Sequence, residues 1–138
     1  SSVGQEIELA RRYLAIEQVR FGERLRVEWA LDPRVRAARL PPLILQPLVE
    51  NAVIHGVEPS TRGAQLRVST QLRSGRALIK VTNSVPAGQG RAGHGIALAN
   101  VRDRLRLLHD LQGSFRTALV DDVYQARIEV PMPTEERP

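Results

Sequence analysis

The chain has 138 residues, which is enough for one domain with a substantial core, and it has no cysteine. Disulfides, thiolate nucleophiles and cysteine-ligated metals are therefore excluded, and no apolar run reaches the roughly 18 residues that a membrane helix needs. The net charge of +5 comes almost entirely from arginines that are spread along the chain. Nucleic-acid binders more often concentrate basic residues in one stripe with aromatic residues between them, so we predict no nucleic-acid partner.

The first element is predicted to be a helix over residues 5–24. Ile7, Ala10 and Leu14 recur at helical spacing, and arginine and glutamate fill the opposite face. Residues 25–31 then alternate between apolar and polar side chains, which predicts a half-buried strand.

The second helix is predicted to begin at Pro41–Pro42, since proline is tolerated in the first helical turn, and to end at Gly56. Pro47, five residues later, is expected either to kink this helix or to mark its true start. It is apolar except near its end, where it carries Glu50, Asn51 and His55. Asn51 and His55 are four residues apart and share one helix face. A buried helix with such a polar end usually presents it to a ligand.

Beyond this helix the sequence predicts a hairpin, a glycine-rich loop, an amphipathic helix and a closing hairpin. In chain order these cover residues 66–72 with 77–81, 83–95, 96–111, and 114–119 with 123–130. Turn residues at Ser74–Gly75 and Asp121–Asp122 indicate the two hairpins. Because helices and strands come in blocks and not in a βαβ rhythm, the predicted class is α+β.

Three separated blocks resemble one family in the same order. They are ELARRYLAIEQVRFGERL at residues 8–25, PPLILQPLVENAVIHG at residues 41–56, and GHGIALANVRDRL at residues 93–105. The second resembles the N box and the third the G2 box of LytS/AlgZ-type sensor histidine kinases. Most of the chain, from about residue 6 to residue 112, is covered by this resemblance.

The resemblance implies the Bergerat (GHKL) ATP-binding sandwich, a mixed and mainly antiparallel sheet with helices on one face. It implies ATP and Mg²⁺ as cofactors, with Asn51 as the metal ligand. An amide oxygen is a hard neutral donor that suits Mg²⁺ on a phosphate chain. Backbone N–H groups before a helix suit phosphate. The nucleotide contacts that the resemblance implies are Asn51, His55, Asn83, Gly93, His94, Gly95, Ile96 and Leu98.

Several positions depart from the family pattern. The family's Asp-x-Gly motif at the adenine end is Asn83-Ser84-Val85 here, and a usual phosphate-facing lysine is Ile54. Pro47 stands where hydrolytic GHKL enzymes have a glutamate base. Glu50 is the remaining candidate catalytic base, or it holds a partner surface. The alternatives are thus a degenerate pseudokinase-like domain, a GHKL hydrolase and, on charge alone, a nucleic-acid-binding module.

The expected organisation has three parts. Residues 1–24 continue from a missing dimerisation hairpin or pack on their own domain, residues 25–132 form the ATP-binding domain, and residues 133–138 form a flexible tail. The resemblance implies a homodimeric inner-membrane sensor protein whose cytoplasmic part contains this domain. The phosphate acceptor would be a histidine upstream of this chain, and the partner a LytTR-type response regulator.

Overall fold

The computed structural model describes residues 1–86, 98 and 100–133. In chain order its main elements are helix α1 (Val3–Phe21), strand β1 (Leu25–Ala30), helix α2 (Leu45–Ala52) with a π-helical turn (Val53–Val57), strands β2 (Ala64–Arg73) and β3 (Arg76–Ser84), helix α3 (Val101–His109), and strands β4 (Ser114–Val120) and β5 (Val123–Pro131). The predicted loop 83–95 is described only as far as residue 86, and its predicted start is wrong, because Asn83 and Ser84 belong to strand β3. The rest of that loop, most of the start of the predicted helix 96–111 and most of the predicted tail lie outside the described residues. No described helix is long and apolar enough to cross a membrane.

The sheet has five strands in the order β1-β2-β3-β5-β4. The first pair is parallel and the other three are antiparallel, so the predicted α+β class and mixed, mainly antiparallel sheet are confirmed. Both predicted hairpins are present. Ser74 and Gly75 have φ values of 54° and 74°, and Asp121 and Asp122 have 54° and 61°, as two-residue hairpin turns require.

The three helices pack on one face of this sheet. Leu66, Val68, Ile79, Val81, Ala126 and Ile128 alternate along β2, β3 and β5 and point into the core. α1 contributes Val3, Ile7, Ala10 and Leu14, α2 contributes Leu45 and Leu48, and α3 contributes Val101 and Leu105. The opposite face is covered by no described helix and is mainly hydrophilic.

Helix α1 begins two residues before the predicted start. Ser2 forms a capping box with Gln5, which satisfies N–H groups of the first turn, and Gly22 at φ 58° ends the helix. The prediction that acidic residues occupy the solvent face fails at Glu6, which is buried on the apolar face. On the outer face Ile16 and Val19 are 68% and 87% exposed.

Helix α2 begins at Leu45 and not at Pro41–Pro42 as predicted. The chain makes a turn first, with Leu43 at φ 56°, a conformation that an L-residue rarely adopts. Pro47 falls in the first turn, where its missing N–H removes no helical hydrogen bond. The predicted end at Gly56 is also wrong, because the helix widens into a π-helical turn that continues to Val57.

Candidate functional site

A buried carboxylate from α1 caps the N-terminus of α2. Glu6 Oε1 accepts hydrogen bonds from the backbone N–H groups of Ile44 (2.8 Å) and Leu45 (3.0 Å), and its Oε2 accepts one from Leu43 (3.0 Å). The N-cap position of the helix, Ile44, supplies no side-chain cap of its own. The Glu6 cap therefore satisfies three orphan donors from 37 to 39 residues away and places a negative charge at the positive end of the helix.

A guanidinium holds the opposite end of the same segment. Arg24 Nη2 donates to the carbonyl oxygens of Val57 at 2.9 Å and Ser60 at 2.8 Å, and Arg24 Nε donates to Ser60 at 3.2 Å. A cation at a helical C-terminus is favoured by the helix dipole. Sequence reasoning missed both Glu6 and Arg24, which fix α2 and its π-helical turn between them. A charged residue inside the apolar stripe of α1 was the signal for Glu6.

Asn51 and His55 lie in the segment that these two charges hold. Asn51 is only 3% exposed in the last turn of α2, and His55 is half-buried in the π-helical turn. The turn is closed by the Glu58 N–H, which donates to the carbonyl of Val53 at 3.0 Å. π-helical turns occur frequently at functional sites, and the sequence periodicity did not indicate this one.

Gly56 brings this segment against the end of β3. A Cβ atom on Gly56 would lie 2.7 Å from Asn83 Nδ2 and 2.8 Å from the carbonyl oxygen of Ser84, both closer than real contacts allow. The glycine is needed for close approach of the two elements. The N-box segment and the position of the altered Asp-x-Gly motif thus meet, as the sequence motifs predict for a single site.

Asn83 carries an orphaned acceptor at this junction. Its side chain is 1% exposed and lies on the core face of β3, opposite Leu66 of β2 and Tyr124 of β5. Its Nδ2 donates to the Ser84 carbonyl at 3.1 Å, while its buried Oδ1 accepts no hydrogen bond from any residue in the described part of the chain. A buried acceptor without a donor costs about 1–3 kcal/mol. The atom fits a ligand that offers a donor, such as the amino group of adenine.

Glu50 is placed beside α1. Its Oε2 accepts a hydrogen bond from Gln46 Nε2 at 3.0 Å. Burial, followed by the negative charges of Glu17, Glu50 and Glu58, raises the pKa of Tyr13 in α1 to about 12. The carboxylate of Glu50 thus acts on Tyr13, on the side of α2 that approaches α1.

The G2-box region contributes mainly to packing where it is described. Leu98 is buried in the core, and its carbonyl accepts from the N–H of Val101 at 3.2 Å. Arg102 donates to the carbonyl of Phe115 at 2.9 Å, and Arg104 donates to the carbonyls of Pro42 and Leu43. Gly93, His94, Gly95 and Ile96 lie outside the described residues.

Comparison with known proteins identifies the family. The sensor histidine kinase YesM of Bacillus subtilis (strain 168) is 35% identical over 111 residues, 77% of this chain and 19% of the relative. YpdA of Escherichia coli (strain K12), also a sensor histidine kinase, is 34% identical over 118 residues, 78% of this chain and 20% of the relative. The chain belongs to the sensor histidine kinases. No family model matches it.

The LytS resemblance and the fold are supported separately. The sensor protein LytS of Enterococcus faecalis (strain ATCC 700802 / V583) is 28% identical over 97% of this chain and 25% of the relative. The catalytic domain of histidine kinase ThkA superposes with a TM-score of 0.74 at 13% identity, covering 98% of this chain and 97% of that one. ThkA in complex with the response regulator TrrA has a TM-score of 0.66 at 12% identity, covering 99% and 42%. The GHKL catalytic-domain fold is therefore confirmed.

The chain spans about a fifth to a third of the length of the curated relatives it matches first. Its fold matches that of a histidine kinase catalytic domain over almost its whole length.

The residues of the site fit a magnesium ion that is bound mainly through phosphate. Among the described residues, no cluster of three or more histidine, cysteine or acidic side chains forms a protein cage for a metal. Mg²⁺ keeps several waters and takes one or two protein oxygens beside substrate phosphates. A single amide oxygen at Asn51 suits that chemistry.

We expect the Glu6→Ala variant to lose about 3 kcal/mol of unfolding free energy, because three N–H groups, two of them buried, lose a charged acceptor. Denaturant unfolding followed by circular dichroism measures this loss. Glu8→Ala is the matched control, since Glu8 is exposed on the same helix. A change below about 0.5 kcal/mol in Glu6→Ala, the range of ordinary surface substitutions, would show that the cap is not required.

Gly56→Ala is expected to destabilise the chain by about 1–3 kcal/mol, because the new methyl group overlaps the Ser84 carbonyl and forces the two elements apart. Thermal unfolding is the measurement. Gly4→Ala is the control, because Gly4 is inside α1 and a Cβ there meets only the movable end of Arg36. That variant should be neutral or slightly stabilising. Equal losses in both variants would contradict the close approach at Gly56.

Glu50→Gln should lower the pKa of Tyr13 from about 12, because removal of a nearby negative charge makes the phenolate easier to form. The pKa should stay above its ordinary value of 10.0, since burial is the larger cause. Ultraviolet titration of tyrosinate measures the shift, and Tyr13→Phe separates this signal from that of Tyr124. Glu8→Gln is the control. An unchanged Tyr13 pKa in Glu50→Gln would show that Glu50 points elsewhere.

Proposed function

We propose that this chain is the ATP-binding catalytic domain of a two-component sensor kinase and that it donates the γ-phosphate of ATP to a histidine outside the chain. The observation that carries the proposal is the buried, orphaned Oδ1 of Asn83, which lies at the contact between β3 and the segment that bears Asn51. An acceptor that is buried and receives no hydrogen bond from the described residues is suited to a donor on the ligand.

The residues of the site have separate tasks in this proposal. Asn83 Oδ1 accepts a hydrogen bond from the adenine amino group, and the Gly56 contact fixes the position of its side chain. Asn51 holds the magnesium ion, with His55 and the G2-box residues Gly93, His94, Gly95, Ile96 and Leu98 as further nucleotide contacts. When bound, the ion neutralises charge on the transferred phosphoryl group. Glu50 is proposed as a base only if its present interactions change, because its carboxylate binds Gln46 and its charge acts on Tyr13 of α1.

The acceptor histidine is proposed to lie in an upstream dimerisation region. His109 Nε2 donates to the carbonyl oxygen of Arg39 at 2.7 Å, and we assign His55 to the nucleotide site. We infer a homodimeric inner-membrane sensor with this domain in the cytoplasm and a LytTR-type response regulator as its partner. The structural neighbour ThkA has been solved with a response regulator, and the LytS relative supports the choice of regulator class.

Calorimetric titration with ATP and Mg²⁺ tests the proposal. The chain should bind the nucleotide, and Asn83→Asp should bind it about tenfold more tightly because a charged acceptor makes a stronger hydrogen bond. Gln71→Glu is the matched control, since it adds the same charge on the exposed face of β2. Asn51→Ala should remove the magnesium dependence of binding while Asn83 still accepts from adenine.

A degenerate, pseudokinase-like domain is the second candidate. Asn83 is a neutral acceptor where the family has a charged one. Ile54 replaces the family's lysine at a position that is 50% exposed, where a charged side chain would be solvated, so the loss of that charge is not explained by burial. This candidate predicts no heat of binding at millimolar ATP in the unmodified chain. It also predicts no gain from Asn83→Asp, and either result would reject the proposal of an active ATP site.

A further inference from the structure

The excess positive charge of the chain lies on one side of the sheet. The strands place nine charged side chains on the face that the helices leave uncovered, and we call this surface the basic face. Its members are Arg26, Arg67, Arg73, Arg76, Lys80, Arg116 and Arg127, with Glu28 and Glu129. Seven basic and two acidic side chains give a net charge of +5, which is the net charge of the whole chain. The charges of all other side chains in the sequence therefore sum to zero.

Three of these cations form a row across the sheet. Lys80 of β3 lies directly opposite Arg127 of β5, which lies directly opposite Arg116 of β4. Like charges in such cross-strand positions destabilise a sheet. The row is therefore a cost to the folded chain.

The acidic residues of the basic face do not neutralise this row. Glu129 binds Arg76 at 2.6 Å and reaches Arg127 at 3.4 Å, while Glu28 pairs with Arg67 at 3.3 Å. Among residues 1–86, 98 and 100–133, Lys80 and Arg116 have no carboxylate within 4.0 Å. Lys80 and Arg116, on either side of the paired Arg127, are therefore available to bind anionic groups of a partner.

We propose that the basic face is a docking surface for a carboxylate-rich segment of another protein. Six of its seven cations are arginines, whose planar guanidinium groups bind carboxylates through two parallel hydrogen bonds. Ser69, Thr82 and Gln125 lie between the charges and offer further hydrogen bonds. This composition matches an acidic polypeptide with its own polar side chains.

Two other anionic partners fit the surface less well. No aromatic residue occupies an outward position of the five strands, so the face has no platform for stacking nucleic-acid bases. A membrane-binding surface combines basic residues with large apolar side chains that enter the interface, whereas the exposed apolar side chains of the basic face, Val120 and Val123, flank the acidic turn Asp121–Asp122.

The size of the basic face indicates a transient contact. Five strands about 4.8 Å apart make a surface about 20 Å wide. A surface of this width is too small to bury the roughly 800 Å² that each partner of a standard stable interface buries. Most of the interaction is electrostatic, so it should weaken with salt. A contact of this kind adds a second, salt-sensitive surface to a domain whose nucleotide site lies among the helices on the other face.

Fluorescence anisotropy of a labelled oligoglutamate peptide tests the inference on the whole 138-residue chain. We expect binding at low salt that weakens toward about 0.15 M. The double variant Lys80→Gln/Arg116→Gln should bind about tenfold more weakly, because it removes the two unpaired cations. Its melting temperature should not fall, since the substitution relieves repulsion within the row.

The matched control is Arg12→Gln/Arg106→Gln, which removes the same charge from exposed positions on α1 and α3. It should bind the peptide within about twofold of the unmodified chain. Equal weakening in both double variants would overturn the proposal by showing a general charge effect. Absence of peptide binding would also overturn it. The proposal would also be overturned if a single-stranded oligonucleotide or phosphatidylserine vesicles bound more tightly than the peptide and if this binding were lost in Lys80→Gln/Arg116→Gln.

Discussion

The carboxylate of Glu6 at the N-terminus of α2 is the interaction on which the candidate site depends. Helix α2 has no side-chain cap of its own, and three of its N–H donors are satisfied from α1. Arg24, just beyond the end of α1, binds the carbonyls that follow the π-helical turn. The two ends of α1 therefore fix the two ends of the segment that carries Asn51. Arg104 of α3 adds a third attachment, because it binds the carbonyls of the turn before α2.

These attachments give the site its geometry from segments that are far apart in the sequence. A hydrogen bond to a buried charge is worth about 1.5–3 kcal/mol, so small displacements of α1 are resisted at α2. The Gly56 contact transmits that position to Asn83 on β3, since the two elements touch without an intervening side chain. The distance between the side-chain amides of Asn51 and Asn83, the proposed metal and adenine contacts, is consequently set by helix α1 and by strand β3 together, and not by α2 alone.

The sequence predicted what depends on local periodicity and missed what depends on long-range polar contacts. α1 and the two hairpins follow from apolar spacing and turn residues, and the family resemblance pointed to Asn51 through the N box and to Asn83 through the altered Asp-x-Gly motif. The predicted start of α2 at Pro41–Pro42 was wrong because Leu43 adopts a positive φ, which a leucine gives no reason to expect. The π-helical turn was missed because the residues Val53–Val57 fit either type of helix. The role of Glu6 could not be deduced, since its partners are distant in the sequence.

The basic face is a second feature that the order of residues along the chain did not predict. Along the sequence the arginines look evenly spread, which argued against a nucleic-acid partner. Strand register then places Lys80, Arg127 and Arg116 side by side, although they are distant in the chain. The orphaned Oδ1 of Asn83 and this row are both unfavourable for folding alone, and neither is compensated among the described residues. Proteins retain such local conflicts mainly where a ligand or partner resolves them. Two conflicts on opposite faces of one sheet therefore imply two binding events, one with a donor-bearing ligand in the core-side site and one with an anionic partner outside.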